Sequence, residues 1–213
     1  MQRLTIFIFI LICSLTYGQQ RKDPTKPILR KLKKELSKQG VSDYFVMKRI
    51  TYGSFHIYDS NDPNSCKAKG TYFTMYAFWE NENKAFVKKI DNCSDFNSIE
   101  LTDSKLFEFY KLNFKKIKED SVERYKTKPD TIVNGKVYSF TSFQTHSPII
   151  YFWFYKDSDK FNNSFDKYNL TTESDYKNIN YESNNNLSIV KLNLLCDEIV
   201  NELNEKVLFN RLK

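Results

Sequence analysis

The chain has 213 residues, of which 40% are hydrophobic and 16% aromatic, and it carries 33 lysines and arginines against 26 aspartates and glutamates. This length excludes an assembly of several large domains, but it is sufficient to bury the core of one domain. The formal net charge of +7 disfavours a cationic partner, so a partner selected by electrostatics is expected to be anionic.

The first residues predict a cleavable secretory signal peptide over positions 1–18. An arginine precedes an almost uninterrupted apolar run at Leu4–Leu15. This run is shorter than the ~20 apolar residues that a membrane-spanning helix needs. Small residues favour cleavage between Gly18 and Gln19, which leaves one mature domain over 19–213. We therefore expect a periplasmic or secreted protein with no transmembrane segment after processing.

Of the four cysteines, three follow the predicted cleavage site. Cys66 and Cys93 lie in polar segments on either side of a predicted hairpin, so we expect them to form a disulfide in an oxidising compartment. Cys196 lies on the apolar stripe of the last predicted helix, where a buried thiol is the expected state. The odd number leaves intermolecular pairing open.

Along the chain, the first predicted element is a helix, which is followed by strands. Apolar residues from Ile28 to Leu36 recur at helical spacing, and Gly40 follows where a helix C-terminus is expected. β-Branched and aromatic residues then predict four strands. Gly53 separates the first two, and the loop at 81–83 joins the last two in a hairpin. These strands are predicted over 44–52, 54–59, 71–80 and 84–91.

A second helix is predicted from Ser104 to about Glu119, with Asp103 as its cap and a wide apolar face. Farther on, Asn134-Gly135 is the strongest short hairpin signal in the chain. It predicts a turn that joins strands over 131–133 and 136–144.

The last part of the chain contains an apolar strand, a polar segment and a helix. The strand at 149–155 is apolar on both faces, as is typical of a strand inside a sheet or covered by a helix. The polar segment 156–186 is too long for a structureless loop, so we expect an ordered excursion or a short extra element. An apolar stripe that includes Leu192 and Cys196 predicts the last helix, over about 187–209.

These elements predict an α+β fold. Hairpins that follow one another along the chain favour an antiparallel sheet of about five to seven strands, packed by an N-terminal, a middle and a C-terminal helix. No strand–helix–strand unit with a glycine-rich turn is visible, which disfavours a doubly wound nucleotide-binding fold.

The first helix has the most uneven charge in the chain, because Glu35 is its one acidic residue among many basic ones. Its basic face could contact an anionic surface such as lipid headgroups, polyanionic sugars or nucleic acid. The alternative is a packed helix whose lysines are merely solvated. No specific nucleic-acid motif accompanies the face. Its cations are Lys26, Arg30, Lys31, Lys33, Lys34 and Lys38.

The sequence contains no recognised catalytic, metal or nucleotide motif, and we predict no cofactor. A hydrolase set of Cys196, His146 and Asp197 can be drawn. It is disfavoured because a catalytic thiol must be exposed in electropositive surroundings, whereas Cys196 lies on an apolar stripe.

The leading functional hypothesis is an exported, non-catalytic binding or envelope-associated protein, whose partner is a protein or an anionic surface of the envelope. Two alternatives stay open. One is a secreted hydrolase with an unfamiliar site, built around His146 and the polar segment 156–186. The other is a small inhibitor or immunity-type protein that blocks an enzyme by surface complementarity.

Overall fold

The computed structural model describes most of the chain that follows the predicted signal peptide. The predicted cleavage site at Gly18 and Gln19 lies outside the described residues, and so does Cys66, so these predictions stay predictions. The described residues are 24–54, 58–61, 65, 67–68 and 70–212.

The described residues fall into two units, of which one ends at Gln39 and the other begins at Gly40. The first unit contains helix α1, Thr25–Lys38. The helix ends as the sequence predicts: the Gln39 amide donates to the Leu36 carbonyl at 2.9 Å, and Gly40 has a φ of +74°. A positive φ at this position favours glycine, which has no Cβ.

The second unit contains eight strands and three α-helices. The helices are α2 at Lys105–Glu119, α3 at Tyr181–Asn186 and α4 at Ser188–Glu205, and a 3-10 turn covers Lys167–Leu170. The strands are β1 at Tyr44–Thr51, β2 at Phe73–Asn81, β3 at Lys84–Asp91, β4 at Asp95–Glu100, β5 at Lys126–Val133, β6 at Lys136–Thr141, β7 at Pro148–Lys156 and β8 at Asp159–Asp166.

Six of the strands form one antiparallel sheet in the order β4-β3-β2-β1-β7-β8. Strands β5 and β6 form a separate two-stranded sheet. The architecture confirms the predicted α+β fold, with a sheet of six strands where five to seven were expected. Strand β7, which is apolar on both faces, lies between β1 and β8, as predicted for an internal strand.

The core lies between one face of the six-stranded sheet and helices α2 and α4. Phe45 of β1 is fully buried at its centre, and its ring centroid is 5.1 Å from that of Phe78 in β2 and 5.0 Å from that of Tyr110 in α2. Stacked or tilted aromatic rings at this separation add to the free energy gained by burying their area. The apolar face predicted for α2 therefore packs on the sheet.

One predicted strand is wrong at its described positions. Ser54, Tyr58 and Asp59 of the range 54–59 lie outside any strand. The backbone turns at Gly53, which has a φ of +79°, and the Ser54 amide donates to the Thr51 carbonyl at 3.3 Å. Side-chain hydrogen bonds then organise a loop, because the amide of Asp59 donates to Oγ of Ser65 at 2.9 Å.

Two strands of the sheet were not predicted, and both lie at its edges. Strand β4 follows the cysteine-containing turn, and β8 occupies the start of the segment that was expected to be a polar excursion. Edge strands contact solvent along one side and tolerate polar residues, so their hydrophobic alternation is weak.

Among the described residues, no helix has both the length and the apolar character needed to cross a membrane.

Candidate binding surface

The hairpin of β5 and β6 stands apart from the main sheet. Its turn is Asn134-Gly135, with φ values of +49° and +74°, and Val133 pairs with Lys136 across it. Two left-handed residues are the signature of a type I′ turn, whose twist matches that of paired strands. The hairpin predicted from Asn134-Gly135 is thus confirmed, and within the described chain no third strand pairs with it.

The hairpin is unusual in exposing its apolar side chains. Every residue from Lys128 to Thr141 is exposed, and Ile132 retains 72% of its accessible surface. An isolated two-stranded hairpin is only marginally stable in water, and contiguous exposed apolar patches mark interaction sites in soluble proteins. The exposed large apolar side chains are Ile132, Val133, Val137, Tyr138 and Phe140.

One face of the hairpin combines aromatic and basic side chains. Tyr138 and Phe140 lie two positions apart on β6, so they point to the same side, and the alternation places Lys136 with them. Lys128 pairs with Phe140 across the strands, and its Nζ lies 5.9 Å from the centre of that ring. We call Lys128, Lys136, Tyr138 and Phe140 the aromatic–lysine face.

The opposite face has a different character. Ile132 and Val137 form a cross-strand pair there, and Oγ of Ser139 donates to Oδ1 of Asp130 at 2.8 Å. The hydrogen bonds from Lys126 and Ser139 lower the pKa of Asp130 below its usual value. The one acidic side chain of β5 and β6 is therefore already paired with a lysine of its own strand, Lys126.

The base of the hairpin is fixed by a buried tyrosine. The ring of Tyr125 is fully buried and stacks on that of Tyr168, with 4.7 Å between centroids. Its carbonyl accepts a hydrogen bond from the Ser142 amide at 3.0 Å, and Lys126, the next residue, accepts from the Ile179 amide at 2.8 Å. The exposed part of the hairpin therefore projects from a rigid base.

Buried asparagines in the polar segment complete this base. Asn184 is 1% exposed; its Oδ1 accepts from the Glu123 amide at 2.9 Å, and its Nδ2 donates to the Glu123 carbonyl at 2.8 Å and to the Asn169 carbonyl at 2.9 Å. Asn178 acts in the same way, because its Nδ2 donates to the carbonyls of Asn169 and Thr171, both at 3.0 Å. An amide side chain can bond to a backbone donor and a backbone acceptor at the same time. These asparagines therefore satisfy backbone groups that have no partner in a strand.

A cleft of about 360 Å³ opens at the end of β6. Arg124 and Phe143 line it together with Tyr168, and the Phe143 side chain is 83% exposed. The carboxylate of Asp166, which also lines the cleft, accepts hydrogen bonds from the Ser147 hydroxyl and from the Tyr168 amide. The cleft thus continues the exposed surface of the hairpin and places a guanidinium at its wall.

The basic face predicted on α1 is exposed. The structure places the side chains of Lys26, Arg30, Lys31, Lys33, Lys34 and Lys38 in solvent. Contact of this face with an anionic surface stays a prediction.

The thiol of Cys196 is free and fully buried on α4, as expected. Burial raises its pKa, and the neighbouring Asp197 carboxylate adds to this increase. An activated nucleophile requires a lowered pKa. Asp197 itself accepts hydrogen bonds from Arg49 and from Lys167 Nζ, the latter at 2.8 Å. His146, the third residue of the hydrolase set considered above, lies in an exposed turn with a φ of +62°.

The predicted partner of Cys66, Cys93, lies in a tight turn after β3. Its amide donates to Oδ1 of Asp91 at 2.8 Å, and the Ser94 amide donates to the same oxygen at 3.1 Å. The disulfide between Cys66 and Cys93 stays a prediction.

In the described ranges, no group of three or more histidine, cysteine, aspartate or glutamate side chains is placed to hold a metal ion. Comparisons of the chain with protein-family models, with curated proteins and with solved structures give no match.

Proposed function

We propose that the chain is an exported, non-catalytic binding protein that recognises its partner through the β5–β6 hairpin. The observation that carries this proposal is the exposure of a whole hairpin whose large side chains are apolar and aromatic. A protein gains nothing in its own stability from such a surface, whereas burial against a partner stabilises the complex. The predicted signal peptide supports export.

Photo-crosslinking in the native organism tests this proposal. We expect Tyr138→benzoylphenylalanine on the hairpin to give a discrete crosslinked product on irradiation. The matched control places the same photoreactive residue at Leu112 of α2, which is 86% exposed but outside the hairpin. The proposal would be contradicted if both positions gave the same crosslinked products, or if neither position gave any. N-terminal sequencing of the native protein tests export, since a chain that begins at Met1 in the cytosol would contradict it.

A second candidate function is association with the envelope through α1. It is favoured by the exposure of all six cations on this helix, because lysines near an anionic membrane attract it additively. Each lysine near the surface contributes about 1 kcal/mol to binding of an anionic membrane. Removing two lysines from α1 should therefore weaken this binding roughly thirtyfold at low salt.

The corresponding measurement is cosedimentation with vesicles of phosphatidylglycerol and phosphatidylcholine. We compare the double variant Lys33→Gln and Lys34→Gln with a charge-matched control, Lys115→Gln and Lys116→Gln, in which two exposed lysines of α2 are removed. Equal loss of binding in both variants would show that net charge alone matters, and would contradict a role for the α1 face.

A further inference from the structure

The hairpin has two outer edges, and they differ in their ability to pair with another chain. We propose that the outer edge of β6 accepts an extended, acidic segment of a partner protein as an added antiparallel or parallel strand. This inference rests on the proposed function, because it specifies how the hairpin binds its partner. Strand addition obtains affinity from main-chain hydrogen bonds and specificity from the side chains on either face.

The outer edge of β5 is blocked. Pro129 lies within it and has no N–H group to donate, and the register is irregular between Lys126 and Thr131. Near the start of the strand, the Lys126 carbonyl already accepts a hydrogen bond from the Ile179 amide at 2.8 Å. Proline, bulges and covering loops are the devices by which proteins protect a sheet edge.

The outer edge of β6 has none of these devices. Lys136–Thr141 contains no proline, and its regular register continues from the turn through Tyr138. Within the described residues, no other strand pairs with this edge. In a two-residue hairpin the pair that flanks the turn is hydrogen-bonded, and bonded and non-bonded pairs then alternate. The backbone groups of Val137 and Ser139 therefore point outward, where an added strand would lie.

The charges around this edge indicate an acidic occupant. In the described part of the chain, Lys126 pairs with Asp130 at 2.9 Å, whereas Arg124, Lys128 and Lys136 pair with no carboxylate. Lys128 and Lys136 lie on the aromatic–lysine face, and Arg124 lines the cleft at the end of β6. An added strand with alternating acidic residues would bring its carboxylates to these cations.

A second copy of this chain fits the edge less well. Strand β6 contains one lysine and no acidic residue, so two copies paired through β6 would bring together no opposite charges. Complementary charges across an interface determine which partner is selected. The observations therefore favour a different protein whose extended segment supplies the carboxylates.

The test uses a fluorescein-labelled peptide of alternating glutamate and valine, blocked at both ends, and measures its binding by fluorescence anisotropy. We expect saturable binding to the full chain. A control peptide has the same charges but a central proline in place of valine, which prevents pairing as a strand. We expect this control to bind at least about tenfold more weakly.

Two proline variants of the protein provide the matched comparison. Val137→Pro removes an outward N–H of β6, while the cross-strand position Ile132→Pro removes an outward N–H of β5. We expect Val137→Pro to weaken peptide binding by about tenfold or more, and Ile132→Pro to change it by less than about threefold. Thermal unfolding of both variants, with circular dichroism, confirms that the chain remains folded.

The inference would be overturned if the chain did not bind the peptide at millimolar concentration, if it bound the proline-containing peptide equally well, or if the two proline variants weakened binding equally. Dimers of the chain that Val137→Pro abolishes in sedimentation analysis would also overturn it, because the occupant would then be a second copy. So would binding of anionic vesicles, and not of the peptide, through the hairpin. If either proline variant fails to fold, the two peptides still decide the question on the unaltered chain. Failure of strand pairing is distinguishable from failure of the proposed function, because a crosslink at position 138 would persist.

Discussion

Replacing Arg211 with alanine is expected to lower the free energy of unfolding by about 3–5 kcal/mol, because it leaves a buried carboxylate without its cation. The Asp91 side chain has no exposed surface, and its two oxygens accept from Nη1 and Nη2 of Arg211 at 2.9 and 2.6 Å. This bidentate pair ties the segment that follows α4 to the last residue of β3. Urea denaturation measures the change, and the matched control Lys206→Ala, which breaks an exposed pair with Glu202, should cost no more than about 0.5 kcal/mol.

The same pair predicts a pH dependence. Burial alone would raise the pKa of Asp91, but hydrogen bonds from Arg211 and from the amides of Cys93 and Ser94 outweigh it and hold the pKa below its ordinary value. The carboxylate therefore stabilises the fold fully above the pKa of an unfolded aspartate, about 4, and this contribution is lost as the pH falls through the lower folded value. An Arg211→Ala variant as stable as the unaltered chain at pH 7 would contradict this account.

Replacing Asn184 with alanine is expected to lower the free energy of unfolding by roughly 2 kcal/mol, because the fully buried side chain makes hydrogen bonds to three part-buried backbone groups. These are the amide and carbonyl of Glu123, which lose this side-chain partner, and the carbonyl of Asn169, which keeps its hydrogen bond from Nδ2 of Asn178. The effect should be largest at the hairpin base. We therefore also expect faster amide hydrogen exchange at Tyr125 and Lys126, measured by mass spectrometry after digestion.

Asn186 provides the matched control for this prediction. It lies two residues later and is exposed, and its Nδ2 donates to the Glu182 carbonyl within the same short helix. Asn186→Ala should change stability by less than about 0.5 kcal/mol. Equal losses in the two variants would show that asparagine acts here through helix formation and not through the buried hydrogen bonds.

Periodicity predicted the elements that are buried on a regular face. The apolar spacing from Leu106 to Ile117 gave helix α2, and the double-sided apolar run of β7 indicated an internal strand. Strands β4 and β8 were not predicted, because an edge strand needs few apolar residues and so shows little hydrophobic periodicity. In the loop after Gly53, hydrogen bonds that the Ser65 hydroxyl and the Asp59 carboxylate accept from backbone amides override the β propensity of the local sequence.

The candidate site could be predicted only in part. Asn134-Gly135 specifies the turn, but nothing local distinguishes a hairpin inside a sheet from one that projects into solvent. The alternation of Lys136, Tyr138 and Phe140 was visible, yet its exposure depends on which other strands pair nearby. Asn184 and Asn178 resemble ordinary polar loop residues in the sequence, because their role depends on backbone groups about ten to sixty residues away.

The position of β1 has a consequence for how the chain folds. Phe45 pairs with Phe78 on one side and with Phe154 on the other, and the second partner is translated more than about a hundred residues later. Contacts this distant slow folding, since the intervening loop must close before they form. A nascent chain shorter than about 150 residues therefore leaves one side of this largely buried strand unpaired. Chaperone binding during synthesis would then be advantageous, and early truncations would be prone to aggregate.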